Sequence, residues 1–200
     1  DDLAMNNATK KQPTPAAPAI KLNRDPDGQP FKDDWHFRSV VGKMNFLEKS
    51  TRVDIAYAVH QCARFTADPK ESHATALKRI GRYLAGTKDK ELILNPRDHS
   101  FECFVDADFV GNWDRVNVDV DPSTAKSRTG YVITYGGCPI VWASKLQREV
   151  ALYTTEAEYN AMSESLREVI HLMALVDESK AKLQWTTTQK PPLVHCKVFE

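Results

Sequence analysis

Between Phe37 and Gly86 the apolar residues recur at three- and four-residue steps. One run is Phe37, Val40, Val41, Met44 and Leu47; a second is Ile55, Ala58, Val59, Cys62 and Phe65. A third carries His73, Ala76, Leu77, Ile80, Tyr83 and Leu84 and stops at Gly86. That period predicts three amphipathic helices. Asp68-Pro69 separates the second from the third, because a residue preceding proline is pushed out of helical geometry. Residues 1–33 hold Pro13, Pro15, Pro18, Pro26 and Pro30 and sustain no apolar period, which predicts a disordered proline-rich linker. After residue 90 the period shortens. Glu91–Leu94, Phe101–Val105, Tyr131–Tyr135 and Ile140–Ala143 read as strands, the last two joined through a Gly136-Gly137 hairpin turn. A long helix from about Thr155 to Glu178 and a last strand from Leu193 to Phe199 follow. The predicted architecture is α/β: a mixed sheet with one covering helix, preceded by a small all-helical segment. The polar stretch between Asn112 and Ser127 reads as a solvated loop, without the glycine turn and closing glutamate of a calcium-binding EF-hand.

Composition narrows the classes. With 42% hydrophobic and 27% charged residues among 200, the chain is globular. No apolar run is long enough to span a bilayer, and no signal-peptide pattern opens the chain, so an intracellular protein without membrane contact is expected. The zero net charge hides a segregation: residues 31–90 carry 12 basic and 7 acidic side chains, residues 91–200 carry 11 and 16. That division suits a chain gripping a polyanion with one part and holding divalent cations with another, and it also suits ordinary surface scatter. Cys62, Cys103, Cys138 and Cys196 form no Cys-x-x-Cys pair, which excludes a zinc finger or a disulfide scaffold and predicts four reduced thiols.

Two stretches place carboxylates where secondary structure will hold them. Asp106 and Asp108 end a predicted strand, and Glu156 and Glu158 open the long helix. Hard oxygen ligands at strand ends and helix starts suit Mg²⁺. Counting from Glu158 reaches Met162, Ser165, Val169 and Met173, so Glu158 is expected over the sheet; counting from Glu156 gives a polar row facing water. Thr155-x-x-Glu158 is equally a capping box, and alternation puts Asp106 and Asp108 on one side, so spacing alone leaves both choices open. In the third helix Lys78, Arg79 and Arg82 form a basic face, either a solvated surface or a contact for phosphates.

Taken in order, several strings resemble the C-terminal part of the polyprotein of Ty1/copia-type LTR retrotransposons. They are Phe37-Arg38-Ser39-Val40-Val41-Gly42, Thr51-Arg52-Val53-Asp54-Ile55-Ala56-Tyr57-Ala58-Val59, and Ala76 through Thr87. Asp106-Ala107-Asp108-Phe109-Val110-Gly111, Ser127-Arg128-Thr129-Gly130-Tyr131-Val132, Pro139 through Lys145, and Thr155-Glu156-Ala157-Glu158-Tyr159 continue the match to the end of the chain. The resemblance implies the end of a reverse transcriptase (thumb and connection) over 34–88 and a ribonuclease H-like domain over 89–200. It implies Asp106 and Glu158 as catalytic, metal-holding carboxylates and assigns Asp108 no catalytic role.

Three departures stand out. The 112–127 loop is longer than usual, Val53 replaces a common proline, and the family's third acid, an aspartate followed by asparagine after the last strand, is absent where the sequence runs out at Glu200. The expectation is therefore a C-terminally truncated fragment. Its parent hydrolyses the RNA strand of RNA–DNA hybrids with Mg²⁺, Mn²⁺ being the alternative ion, while the fragment alone cleaves little or nothing. Its implied partners are the hybrid, gripped by Lys78, Arg79 and Arg82, and the rest of the polyprotein, without a small-molecule cofactor; its implied location is a cytoplasmic particle or the nucleus. The competing reading is a non-catalytic nucleic-acid-binding or structural remnant.

Overall fold

The computed structural model describes residues 10–18, 20–182 and 196–200. They divide into two units: one running to Leu92 and including Asn112–Ala125, the other made of Ile93–Gly111 and the residues from Lys126 onward.

The first unit contains α1 (Phe37–Ser50), α2 (Ala56–Ala63) and α3 (Glu71–Gly86), with a single 3₁₀ turn at Val53–Ile55 leading into α2. The predicted apolar rows form its core, in which Ile55, Val59, Leu77 and Ile80 are essentially inaccessible to solvent. Burying side chains of this size stabilises a fold by roughly 1.5–3 kcal/mol each. Arg52 grips Asp54 through two parallel bonds of 2.9 and 2.8 Å, and the Tyr83 hydroxyl donates to the same carboxylate at 2.7 Å. Burial raises the Asp54 pKa, but the bonds from Arg52 and Tyr83 outweigh it and leave the carboxyl below its usual range.

The described part of the proline-rich segment does not stand free as a linker. The Phe31 N–H donates to Pro69 O and the Glu71 N–H to Gln29 O, while Ala16, Leu22, Phe31 and Trp35 pack on the helical core. His73 holds this strap in place. Its Nδ1 accepts the Lys70 N–H at 3.0 Å, so its Nε2 carries the proton and donates to Asn23 O at 2.7 Å. Proline-rich composition removes helices and strands but does not prevent a segment from packing where a partner offers apolar surface and matching polar groups.

The Asn112–Ala125 stretch is likewise more than a solvated loop. Asp121 is 3% exposed and meets the Arg64 guanidinium at 3.5 Å, and Arg64 also donates to Ser123 at 2.6 Å and to Gln61 at 2.8 Å. A 3₁₀ turn at Pro122–Ala125 follows, started by Asp121 accepting from the Ser123 N–H and hydroxyl.

The second unit is a four-stranded mixed sheet with order β3-β2-β1-β4, built from β1 (Phe101–Asp108), β2 (Arg128–Tyr135), β3 (Cys138–Leu146) and β4 (Cys196–Phe199). β1 and β2 are antiparallel, as are β2 and β3, while β4 runs parallel to β1. Gly136 and Gly137 both have positive φ, the two-residue turn that matches strand twist. The 29-residue α4 (Thr154–Lys182) packs Ala161 and Val169 on Phe101, Cys103, Val105, Tyr131 and Ile133. Glu91–Leu94 forms no strand: Ile93 and Leu94 are 77% and 63% exposed, and Pro96 close behind cannot donate to a ladder. Of the expected last strand, Leu193, Val194 and His195 lie outside the described residues. All four cysteines are free, as expected from their spacing, and burial pushes the Cys62 thiol up to about 12. No described helix is long and apolar enough to cross a membrane.

Candidate active site

Strand β1 alternates. Phe101, Cys103 and Val105 face α4 in the core, while Glu102, Phe104 and Asp106 project to the opposite face, where Phe104 stacks on Phe199 at 5.0 Å. Asp106 is exposed and its carboxylate makes no hydrogen bond or ion pair among the described residues. Asp108 behaves differently. Its carboxylate lies over Gly111, where a Cβ would come within 1.8 Å of Oδ2, and the turn between them holds Val110 at φ 48°. A β-branched residue in the left-handed region is a costly way to turn. The Val110 N–H is held by the Ser127 hydroxyl at 3.3 Å. Asp108 is thus part of the turn that ends the strand.

The helix start holds the other pair. Glu156 reaches back to accept the Leu152 N–H at 2.7 Å, closing the helix start. The helix-start bond that spacing left open to Thr155-x-x-Glu158 is made by Glu156, which therefore does not simply point to water. Glu158, seven residues before Ser165 and eleven before Val169, falls on their row by spacing. Ser165 and Val169 are buried, whereas Glu158 is exposed. The buried row of α4 is Ala157, Ala161, Ser165 and Val169, and Glu158 lies on its flank, so the cover expected over Glu158 is not found.

One side chain ties the helix start to the sheet. Gln147 Nε2 donates to Ala157 O at 2.7 Å and to Thr129 Oγ1 at 3.2 Å. Thr129 is the cross-strand partner of Ala107. Glu158, next to Ala157, and Asp106, next to Ala107, consequently occupy the same end of the helix–sheet layer. They do so from different sides, Asp106 on the outer sheet face and Glu158 on the exposed flank of the helix. Further along α4, Glu164 pairs with Lys145 at 2.8 Å, and burial followed by Glu168 and Glu164 pushes the Tyr131 hydroxyl up to about 12.

Two carboxylates are the right donor type for a hard divalent ion but not a complete set. Among the described residues no three His, Cys, Asp or Glu side chains gather where they would hold a metal. Glu200, exposed just beyond β4, adds no third ligand to such a group.

The basic face of α3 is partly engaged. Lys78 pairs with Asp33 at 2.5 Å and sits 5.9 Å from the centre of the Trp35 ring. Arg79 donates to Thr14 O at 3.2 Å and to its hydroxyl at 2.9 Å. Arg82 has a buried Nε with no hydrogen-bond partner among the described residues. Residue type alone did not reveal that two of the three cations hold the strap, although acidic Asp33 and Asp34 stand in that segment.

No family model matches the chain, and no solved structure does. Among curated proteins it is 35% identical over 199 residues to the retrovirus-related Pol polyprotein from transposon RE1 of Arabidopsis thaliana, covering 98% of this chain and 12% of that one. It is 37% identical over 179 residues to the Pol polyprotein from transposon TNT 1-94 of Nicotiana tabacum, covering 87% and 13%. It is also 34% identical over 145 residues to the secreted RxLR effector protein 161 of Plasmopara viticola, there covering 72% of this chain and 96% of the effector. The chain spans about one eighth of the length of the two Pol polyproteins. A match of this extent to plant transposon polyproteins places the chain in a family: it belongs to the retrovirus-related Pol polyproteins of copia-type transposons.

Proposed function

We propose that this chain is the part of a copia-type Pol polyprotein that joins the end of the reverse transcriptase to a ribonuclease H-like domain. In this reading the complete polyprotein hydrolyses the RNA strand of RNA–DNA hybrids with Mg²⁺, and Asp106 and Glu158 are two of the carboxylates that hold the ion. The four-stranded mixed sheet with a covering helix is compatible with that fold. The observation that carries the reading is the division of labour between neighbours. All four carboxylates are exposed, but Asp108 packs over Gly111 and Glu156 accepts the Leu152 N–H, while Asp106 and Glu158 make no such contact among the described residues. The donor set is incomplete, so residues 1–200 alone cleave little or nothing.

The test uses the complete polyprotein with labelled RNA–DNA hybrid and Mg²⁺. Cleavage that falls by at least a hundredfold in Asp106→Asn and in Glu158→Gln, and not in Asp108→Asn, is the expected result. An intact hybrid, or normal cleavage by Asp106→Asn, sinks the proposal.

A second reading, a non-catalytic nucleic-acid-binding or structural remnant, draws on the incomplete donor set, since no three candidate ligands gather among the described residues. Salt-sensitive binding to hybrid without product, in the complete polyprotein, favours it.

A further inference from the structure

Gln147 stands directly after β3, and its main chain and side chain bond to different parts of the sheet unit. Its N–H donates to Ser127 O at 2.9 Å, and the Ser127 hydroxyl accepts the Val110 N–H of the turn that ends β1. Its Nε2 donates to Ala157 O in α4 and to the Thr129 hydroxyl, whose strand position lies opposite Ala107. One residue therefore links the turn beyond Asp108 to the first turns of α4, where Glu158 follows Ala157. Gln147, Ser127 and Thr129 are all buried, so water does not compete for these bonds.

The amide leaves one of its own atoms unsatisfied: Oε1 is buried without a hydrogen-bond partner among the described residues. A buried acceptor left unpaired is destabilising, and functional sites are where such conflicts are retained. What the amide supplies in return is two N–H donors on one neutral nitrogen, one used on the helix and one on the sheet. We infer, on the ribonuclease H reading above, that Gln147 is a positioning residue for the candidate active site. It sets where the first turns of α4, and with them Glu158, stand relative to the strand end that carries Asp106. Gln147 is too buried to touch a substrate, so it acts through those two carboxylates. Removing a group that orients metal-holding side chains from behind changes affinity or activity by about 10–100-fold.

The test uses the complete polyprotein with Gln147→Met, which keeps the volume and removes both donors, and Gln147→Glu, which keeps the shape. On labelled RNA–DNA hybrid at saturating Mg²⁺, Gln147→Met should lower kcat by about tenfold or more and leave the KM for hybrid unchanged. Combined with Glu158→Gln it should cost no more than Glu158→Gln alone, because both act through one carboxylate. In Gln147→Glu the gap to wild type should narrow as pH falls from about 8 to 6. Burial raises the pKa of the introduced carboxyl, and its protonated form again donates to Ala157 O. Without hybrid, Mn²⁺ binding read from the free-ion electron paramagnetic resonance signal should weaken in Gln147→Met at the sites that Asp106→Asn removes. Wild-type kcat in Gln147→Met, losses that multiply in the double variant, or unchanged Mn²⁺ affinity overturns the inference. Cleavage that still needs Asp106 and Glu158 then leaves the ribonuclease H reading standing. A loss of cleavage matched by an equal loss of folded chain, in a urea titration of residues 1–200, assigns Gln147 to the scaffold alone and also overturns it. No cleavage by the wild type overturns both.

Discussion

Asp121 in the helical unit and Asp106 in the sheet unit are both aspartates, one in a stretch that reads as a loop and one at the end of a strand, and the fold treats them oppositely. Asp121 is buried against Arg64, with Ser123 and the 3₁₀ turn completing its surroundings. Asp106 is left exposed beside the strand end, while its neighbour Asp108 closes the turn. The helical unit engages its charges internally: Arg52 with Asp54, Lys78 with Asp33, Arg64 with Asp121. The sheet unit uses Asp108 in a turn and Glu156 as an acceptor at the helix start, without ion pairs, and leaves Asp106 and Glu158 out. A charge engaged in the fold is read from the stability it contributes, and a charge left out of it is read from what it binds.

The largest expected effect breaks the internal side of that contrast. Arg64→Ala leaves Asp121 buried without its partner, and removing one member of a buried pair costs about 3–5 kcal/mol. Urea denaturation followed by helix circular dichroism should show a loss of that order. The double variant Arg64→Met with Asp121→Leu should recover most of it, because desolvation of both ions disappears together. Recovery of nothing by the double variant would mean that Arg64 acts mainly through Ser123 and Gln61.

In the sheet unit the corresponding test is Gln147→Ala. The substitution leaves Ala157 O and the Thr129 hydroxyl without their donor, and an unsatisfied buried group costs about 1–3 kcal/mol. Hydrogen exchange should speed up in the first turns of α4 and remain slow around Val169. Uniform acceleration along the helix would show that Gln147 supports the whole layer and not the helix start alone.

A smaller effect is expected from pH. Burial is the main cause that lowers the His73 pKa from its ordinary value of 6.5, against the bond to Asn23 O and the nearby aspartates, which raise it. A histidine held neutral in the fold but free to take a proton when unfolded contributes stability that is present above the unfolded pKa. That stability is lost as pH falls below about 6.5. The protonated ring also loses the acceptor that Nδ1 offers to Lys70. The stability of the helical unit should therefore decline between pH 7 and 5, and His73→Gln should flatten that decline. Asp54, whose pKa is lowered, adds its own loss only at more acid pH, as its carboxylate takes a proton.

The sequence carries the periodic parts of this molecule well. Phe37 to Leu84 and Phe101 to Ala143 alternate or repeat as their elements require, and Gly136-Gly137 marks the hairpin, because those signals are local. Long-range partners leave no such signature. Nothing near Asp121 announces Arg64, 57 residues earlier, and nothing in Pro13–Pro30 announces His73 or Arg79 as the residues that hold the strap. Glu91–Leu94 has strand composition but pairs with no strand among the described residues. At the candidate site the residue types and their order were legible, but the choice within each acidic pair was not. It depends on whether a carboxylate reaches Gly111 or Leu152, and spacing does not encode that reach.

The smallest stability effect is the most informative for that choice. Glu156→Ala removes the acceptor of the Leu152 N–H and should cost about 1 kcal/mol, the usual value of a lost cap. Asp108→Ala should also destabilise, because the turn at Val110 and Gly111 loses the carboxylate packed on it. Asp106→Asn and Glu158→Gln remove charges that touch nothing among the described residues, so each should change stability by no more than about 0.5 kcal/mol. The two outcomes together separate folding acids from acids available to a ligand. If Asp106→Asn or Glu158→Gln destabilised the chain as much as Glu156→Ala, that carboxylate would be part of the scaffold. The case for a metal there would then lose one of its two ligands.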